Sequence, residues 1–157
     1  MRNIILDNFE RTLQMLKRAI DDCPDNGWDL PDEAVSIWQY AYHCLIGLDV
    51  FVRAPGDPFA PASFHNDAVG NLLKGQGAVM TRAQIVSYRD DVYARRRAVL
   101  ARTSADDFDK DVEIMGFKAS LADRVLDQIR HVQHHVGSIH TQLRRRTGSA
   151  PEWVGLG

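Results

Sequence analysis

Apolar residues in this chain recur every three or four positions over four separate stretches. Nowhere do they alternate at every second position, so the pattern fits amphipathic helices and not half-buried strands. The first stretch, residues 3–20, places Phe9, Leu13, Leu16 and Ile20 on one stripe and stops at the breaker run CPDNG. The second, residues 31–53, opens with Pro31, which suits a first helical turn, and repeats Val35, Trp38, Tyr42, Leu45 and Val52. Residues 54–80 contain PGDPFAP and GQG, and a connection of that length either crosses a bundle or covers a site. The third helix is expected from Thr81, where Gln84 completes a capping box, to residue 102. Residues 103–118 are polar and acidic and read as loop or a short extended excursion. The fourth helix is expected from about residue 120 to 146, ended by GSAP.

A length of 157 residues fits one domain with a sizeable core, so residues 1–157 are expected to fold as a single all-α domain. The formal charge of -2 leaves no excess of Lys and Arg to neutralise a run of phosphates, which argues against nucleic-acid binding. The one basic run, Arg144, Arg145 and Arg146, sits where a helix C-terminus favours cations. Two cysteines, Cys23 and Cys44, make no disulfide framework, and no apolar run approaches the ~20 residues of a membrane span. The opening residues become charged too soon for a signal peptide, so a cytoplasmic location is expected, with no membrane contact.

Three of the six histidines lie in HVQHH, residues 131–135. In helical projection Leu121, Val125, Ile129, Val132, Val136, Ile139 and Leu143 define a buried arc. His135 lies about 75° from its centre, His131 about 115° on the same flank, and His134 about 175° away, facing water. His131 and His135, four apart, therefore stack on the border of the buried face, the spacing by which one helix offers two imidazoles to one metal ion. His43, beside the core positions Tyr42 and Leu45, is the candidate third ligand from a facing helix. Three imidazoles suit a divalent transition metal such as zinc, nickel, iron or copper, zinc or nickel being the first choice and iron the next, and leave a coordination position open. His65 and His140 read as structural or solvent-facing. Between His131 and His135 stand Val132, Gln133 and His134, so the glutamate of a zinc protease is missing. Cys44 reads as a buried structural thiol, and Trp38, Tyr88 and Tyr93 as core aromatics. Gln39 and Asp49 either orient an imidazole or face solvent, and Trp153 covers the bundle or a second subunit.

The order of four helices, with WQYAYHCLIGLDVF in the second and HVQHHVGSIHTQLRR in the fourth, resembles the DinB-like (YfiT-like) superfamily of metal-dependent proteins. The resemblance covers most of the chain. Its pattern, one His in helix two and an H-x3-H pair in helix four, falls on His43, His131 and His135. Val136, Gly137 and Ser138 stand where the family often has Arg, Gly and Gln, so only the glycine is retained. The closing GSAPEWVGLG is also similar to tails of the superfamily. The resemblance implies a four-helix bundle of atypical helix order, with a long crossover between helices two and three that lets helix four lie between them, and a homodimer. It further implies a transferase or isomerase acting on a small-molecule substrate with a low-molecular-weight thiol. A metal-dependent hydrolase and a non-enzymatic, dimeric metal-binding stress-response module are the alternatives.

Overall fold

A computed structural model describes residues 1–73, 77–114 and 116–155. Gly75 and Gln76 of the GQG run, and Leu156 and Gly157 of the tail, lie outside the described residues. Helix α1 (Arg2–Asp21) buries Phe9, Leu13, Leu16 and Ile20, the stripe expected from the period, and gives way to one turn, α2 (Asp25–Trp28). Helix α3 (Ile37–Phe51) starts at Ile37 rather than near residue 31. Its start is fixed by hydrogen bonds that the apolar period does not register. Gln39 Oε1 accepts the Ser36 N–H at 2.8 Å, while Ser36 Oγ accepts the Leu30 N–H and donates to Asp29. Gln39 therefore serves the cap and orients no imidazole.

Beyond α3 the chain makes a second single turn, α4 (Asp67–Gly70), before helix α5 (Arg82–Arg102). The Thr81 and Gln84 capping box forms as expected, with Gln84 Oε1 accepting the Thr81 N–H at 2.8 Å. The described residues of 103–118 include the short extended excursion expected there, preceded by a turn of helix. They contain a short helix, α6 (Ala105–Asp109), and strand β1 (Asp111–Ile114), which pairs antiparallel with β2 (Phe117–Ser120). Four-residue strands are too short to print a readable alternation, so the period analysis finds no strand there. Helix α7 (Leu121–Thr147) is capped by Ser120, whose side chain accepts the Asp123 N–H at 3.0 Å. It ends at Gly148, held at φ +79°, a conformation that residues with a Cβ rarely adopt.

The bundle directions follow from the contacts at each end. Arg2 at the start of α1 donates to the carbonyls of Leu100 and Thr103, and Arg82 at the start of α5 donates to Ile20 O at 2.6 Å, so α1 and α5 are antiparallel. Arg124 near the start of α7 donates to Phe51 O and Arg53 O, and Gln142 near its end donates to Val35 O, so α3 and α7 are antiparallel too. Tyr42 meets Tyr88 and, farther along both helices, Asp49 meets Arg95 and Arg96, so α3 and α5 lie parallel and the chain crosses over between them. Helix α7 packs on α1 and α3, and α3 packs on α7 and α5. Helix four thus lies between helices one and two, not between two and three as the resemblance implies. Because the crossover brings α5 back parallel beside α3, the remaining flank of α3 is the one left for α7. Being covered on both sides, α3 is buried nearly all round, including Trp38, Tyr42, Cys44 and Leu48. Tyr88 and Tyr93 of α5 are buried as expected, while Trp153 is 65% exposed. No helix among the described residues is long and apolar enough to cross a membrane.

Candidate metal centre

The antiparallel packing of α3 on α7 brings three histidines together. His43, His131 and His135 each offer a ring nitrogen within 4.8 Å of the others, and their ring centroids are 4.7 to 4.8 Å apart. The three rings stand edge to face, with interplanar angles of 74°, 89° and 89°. As projected, His135 is buried, His131 half-buried and His134 exposed. Gly47, one turn beyond His43 on α3, faces α7 across a tight contact. A Cβ there would lie 2.7 Å from Gln128 Oε1 and 2.8 Å from His131 Cε1. Only the missing side chain lets the His131 ring pass.

Two hydrogen bonds decide which nitrogens converge. Gly70 O, at the end of α4, accepts from His43 Nδ1 at 2.6 Å. Gln128 Oε1, on a side chain 2% exposed, accepts from His131 Nδ1 at 3.2 Å. Each Nδ1 then carries the proton, and each Nε2 presents a lone pair. Those two Nε2 atoms face each other at 2.8 Å. Two lone pairs at that separation repel unless a proton or a metal ion lies between them. Burial depresses the proton affinity of all three rings. It holds His43 below its ordinary value of 6.5 against the opposing Gly70 hydrogen bond, and pushes His131 down to about 4 and His135 to about 3, with the neighbouring imidazoles adding to both. At neutral pH a proton is therefore a poor occupant, and neutral imidazoles are the form that ligates metal. His135 adds a further sign: its Nδ1 is buried without a hydrogen-bond partner, so the ring has a nitrogen that no protein group occupies. The donor set fits a divalent transition metal ion. A family model described as the DinB superfamily matches residues 8–139. The chain belongs to the DinB superfamily. Neither a curated protein nor a solved structure matches it.

Beside the three histidines this DinB-superfamily protein has a cleft of about 360 Å³. Ile46, Val50, Phe51 and Phe59 are its apolar lining, and His65, Asp67 and Asn71 from the crossover and Asp127 from α7 are polar residues that also line it. His65, read from sequence as structural or solvent-facing, is structural and also lines the cleft. Its Nδ1 lies 2.6 Å from the Tyr42 hydroxyl, and its Nε2 lies 2.8 Å from Asp67 Oδ1. The carboxylate accepts from Nε2–H, so the Tyr42 hydroxyl donates to Nδ1. This chain ties the crossover to α3 and holds Gly70 O against His43. The two-residue spacing of His65 and Asp67 is the one local signal that could have pointed to this chain, because Tyr42 is far away along the sequence.

The remaining candidates sit elsewhere. His140 is buried on α7 with its Nε2 unpartnered, and lies outside the histidine group. Asp49 neither orients an imidazole nor meets solvent. It is 1% exposed, pairs with Arg95 and Arg96, and accepts the Tyr88 hydroxyl at 3.0 Å. Cys44 is fully buried, and burial pushes its thiol well above the usual range, which makes it a packing residue.

Proposed function

We propose that this protein is a metal-dependent transferase or isomerase that uses a low-molecular-weight thiol, with His43, His131 and His135 as the ligands of one zinc or nickel ion, iron being the third choice. The observation that carries the reading is the pair of Nε2 lone pairs facing each other at 2.8 Å beside an open apolar cleft. When bound, such an ion supplies Lewis acidity that favours the anionic form of a donor atom from substrate or cofactor.

The protein's own groups do the rest. Gly70 O and Gln128 Oε1 hold the Nδ1 protons of His43 and His131, which keeps both Nε2 atoms aimed inward. Ile46, Val50, Phe51 and Phe59 displace water along the cleft and strengthen the charge interactions inside it. His65, fixed between Tyr42 and Asp67, is the cleft group able to hold a proton at Nδ1 or at Nε2.

Metal analysis and a thiol-conjugation assay test this directly. Zinc-loaded protein is expected to bind about one ion per chain and to accelerate addition of a small thiol to an electrophile. His43→Ala is expected to abolish both while its melting curve stays cooperative. Absence of acceleration across a panel of thiols sinks the transferase reading. Turnover without any thiol would move the assignment to a hydrolase, and a chelator that only lowers the melting temperature would leave the ion a structural role.

A further inference from the structure

A second cavity, of about 510 Å³, lies where the end of α5, the α6 and β1 segment and the start of α7 meet. It shares no lining residue with the cleft beside the histidines. Arg102, Lys110 and Arg124 line it against one carboxylate, Asp107, and Val112 and Leu121 supply apolar surface. Arg124 is the unusual member. Taking a guanidinium out of water costs several kcal/mol, so a buried arginine ordinarily has an acid beside it. Three arginines are buried among the described residues. Arg89 pairs with Asp21 and Asp90, and Arg96 pairs with Asp49. Arg124 is 6% exposed and has no Asp or Glu within ion-pair reach among the described residues. Its Nε donates to Ser120 O and its Nη1 to Phe51 O and Arg53 O, which fixes the side chain against the end of α3. Nη2 finds no acceptor among the described residues, and the charge stays without a counter-ion. Burial and the neighbouring Arg53 hold the guanidinium below its ordinary range, and no carboxylate opposes them. Of the other charges at the cavity, Arg102 is taken up by Asp57, and Asp107 accepts the Ser104 hydroxyl at 2.8 Å. Lys110 has no ion-pair partner among the described residues.

We propose that this cavity binds the phosphate group of a small phosphate monoester, with Arg124 as the buried anchor and Lys110 as the second cation. The site is independent of the thiol reading and of the metal centre. A phosphate supplies the counter-charge that the protein withholds from Arg124. With Arg102 held by Asp57, the unpaired cations are Arg124 and Lys110, and two positive charges match a dianion better than a single carboxylate. Because three carbonyls already hold Arg124 in place, little side-chain freedom is lost when its remaining donor meets a phosphate oxygen. The volume falls within the roughly 300–1,000 Å³ of small-molecule pockets, and Val112 and Leu121 offer apolar contact to the organic part of the ester. Asp107 works against an anion, which gives one substitution a predicted gain.

Titration of zinc-loaded protein with phenyl phosphate, benzoate and phenol at constant ionic strength, followed by nuclear magnetic resonance, tests this. Phenyl phosphate is expected to shift the amides of Thr103, Val112 and Leu121 saturably. Benzoate should bind there on the order of tenfold more weakly, and phenol not at all. Lys110→Met should weaken phenyl phosphate by about threefold to tenfold, and Asp107→Asn should tighten it by a similar factor. Asp107→Asn keeps an oxygen to accept the Ser104 hydroxyl, and a gain in affinity is not what a damaged fold produces. Arg124→Gln should abolish saturation at the three amides. Should that variant fail to fold, the opposite responses of Lys110→Met and Asp107→Asn decide the matter. Shifts that are absent or confined to Gly47 and Gly70 beside the histidines overturn the inference. So does benzoate binding as tightly as phenyl phosphate, or an affinity that either Lys110→Met or Asp107→Asn leaves unmoved.

Discussion

Gly47→Ala is the sharpest probe of the metal centre, because it adds one methyl group at the contact that sets His131. The new Cβ would sit 2.7 Å from Gln128 Oε1, 2.8 Å from His131 Cε1 and 3.0 Å from His131 Nδ1. Ordinary carbon contacts begin near ~3.5 Å, so both side chains must retreat by roughly half an ångström or more. Gln128 has little room, being 2% exposed, and most of the shift falls on the imidazole. Overpacking costs about 1–3 kcal/mol, and the better helix propensity of Ala offsets about 1 kcal/mol of it. The net loss is then about 0–2 kcal/mol, a fall in melting temperature of no more than roughly 8 °C for a chain of this length. Metal affinity should suffer more, because a site loosened by about 0.5 Å no longer holds its ligands in register, and disturbed supporting contacts typically cost about 10–100-fold. Competition against a chromophoric chelator measures the affinity, and thermal melts with and without zinc measure the fold. Gly137→Ala is the control. Nothing lies within 4 Å of a Cβ at that exposed helical position. It should gain up to about 1 kcal/mol and leave zinc affinity unchanged. If Gly47→Ala keeps wild-type affinity while its melting temperature falls, Gly47 serves packing alone and the account of His131 is wrong.

Three further outcomes follow from the same geometry. The metal-free protein should lose stability as the pH falls from about 6.5 toward 4: the folded-state values of His131 and His135 lie below the ordinary 6.5, so the unfolded chain binds more protons across that window. Urea titrations at stepped pH check this, and a double replacement of the two rings by glutamine should flatten the slope. Replacing Asp49 with Ala strands the Arg96 guanidinium, on a side chain 4% exposed, and should cost about 3–5 kcal/mol in chemical denaturation. A loss under about 1 kcal/mol would mean that the arginines find other partners. Tyr42→Phe removes the hydroxyl that holds His65 and should speed amide exchange at Gly70 and Asn71, with a loss of about 1 kcal/mol. Unchanged exchange would show that the crossover is anchored by other contacts.

Much of the candidate site was legible because its ligands sit at positions that a helical period can rank. His131, His134 and His135 occupy the half-buried, exposed and buried places that their angles on α7 predict. The Thr81 and Gln84 capping box and the Gly148 stop were equally plain, since both are local hydrogen-bonding devices. The start of α3 was misplaced because Ser36, Leu30 and Asp29 form a network that apolar spacing does not report. The roles of Gln39 and Asp49 are not readable from spacing for the same reason: their partners, the Ser36 cap and the arginines of α5, are fixed by hydrogen bonds and by packing.

Local sequence determined the four helices, the flank on which each histidine stands and the nitrogen-donor character of the group they form. Tertiary structure alone decided that α7 lies between α1 and α3, that Gly70 O and Gln128 set the tautomers, and that His65, Asp67 and Asp127 share one cleft. The physical reason is range. Periodicity and caps act over one or two turns of a single segment, whereas the crossover of residues 52–81 brings Gly70 against His43 from 27 positions away, a separation over which the sequence carries no readable spacing.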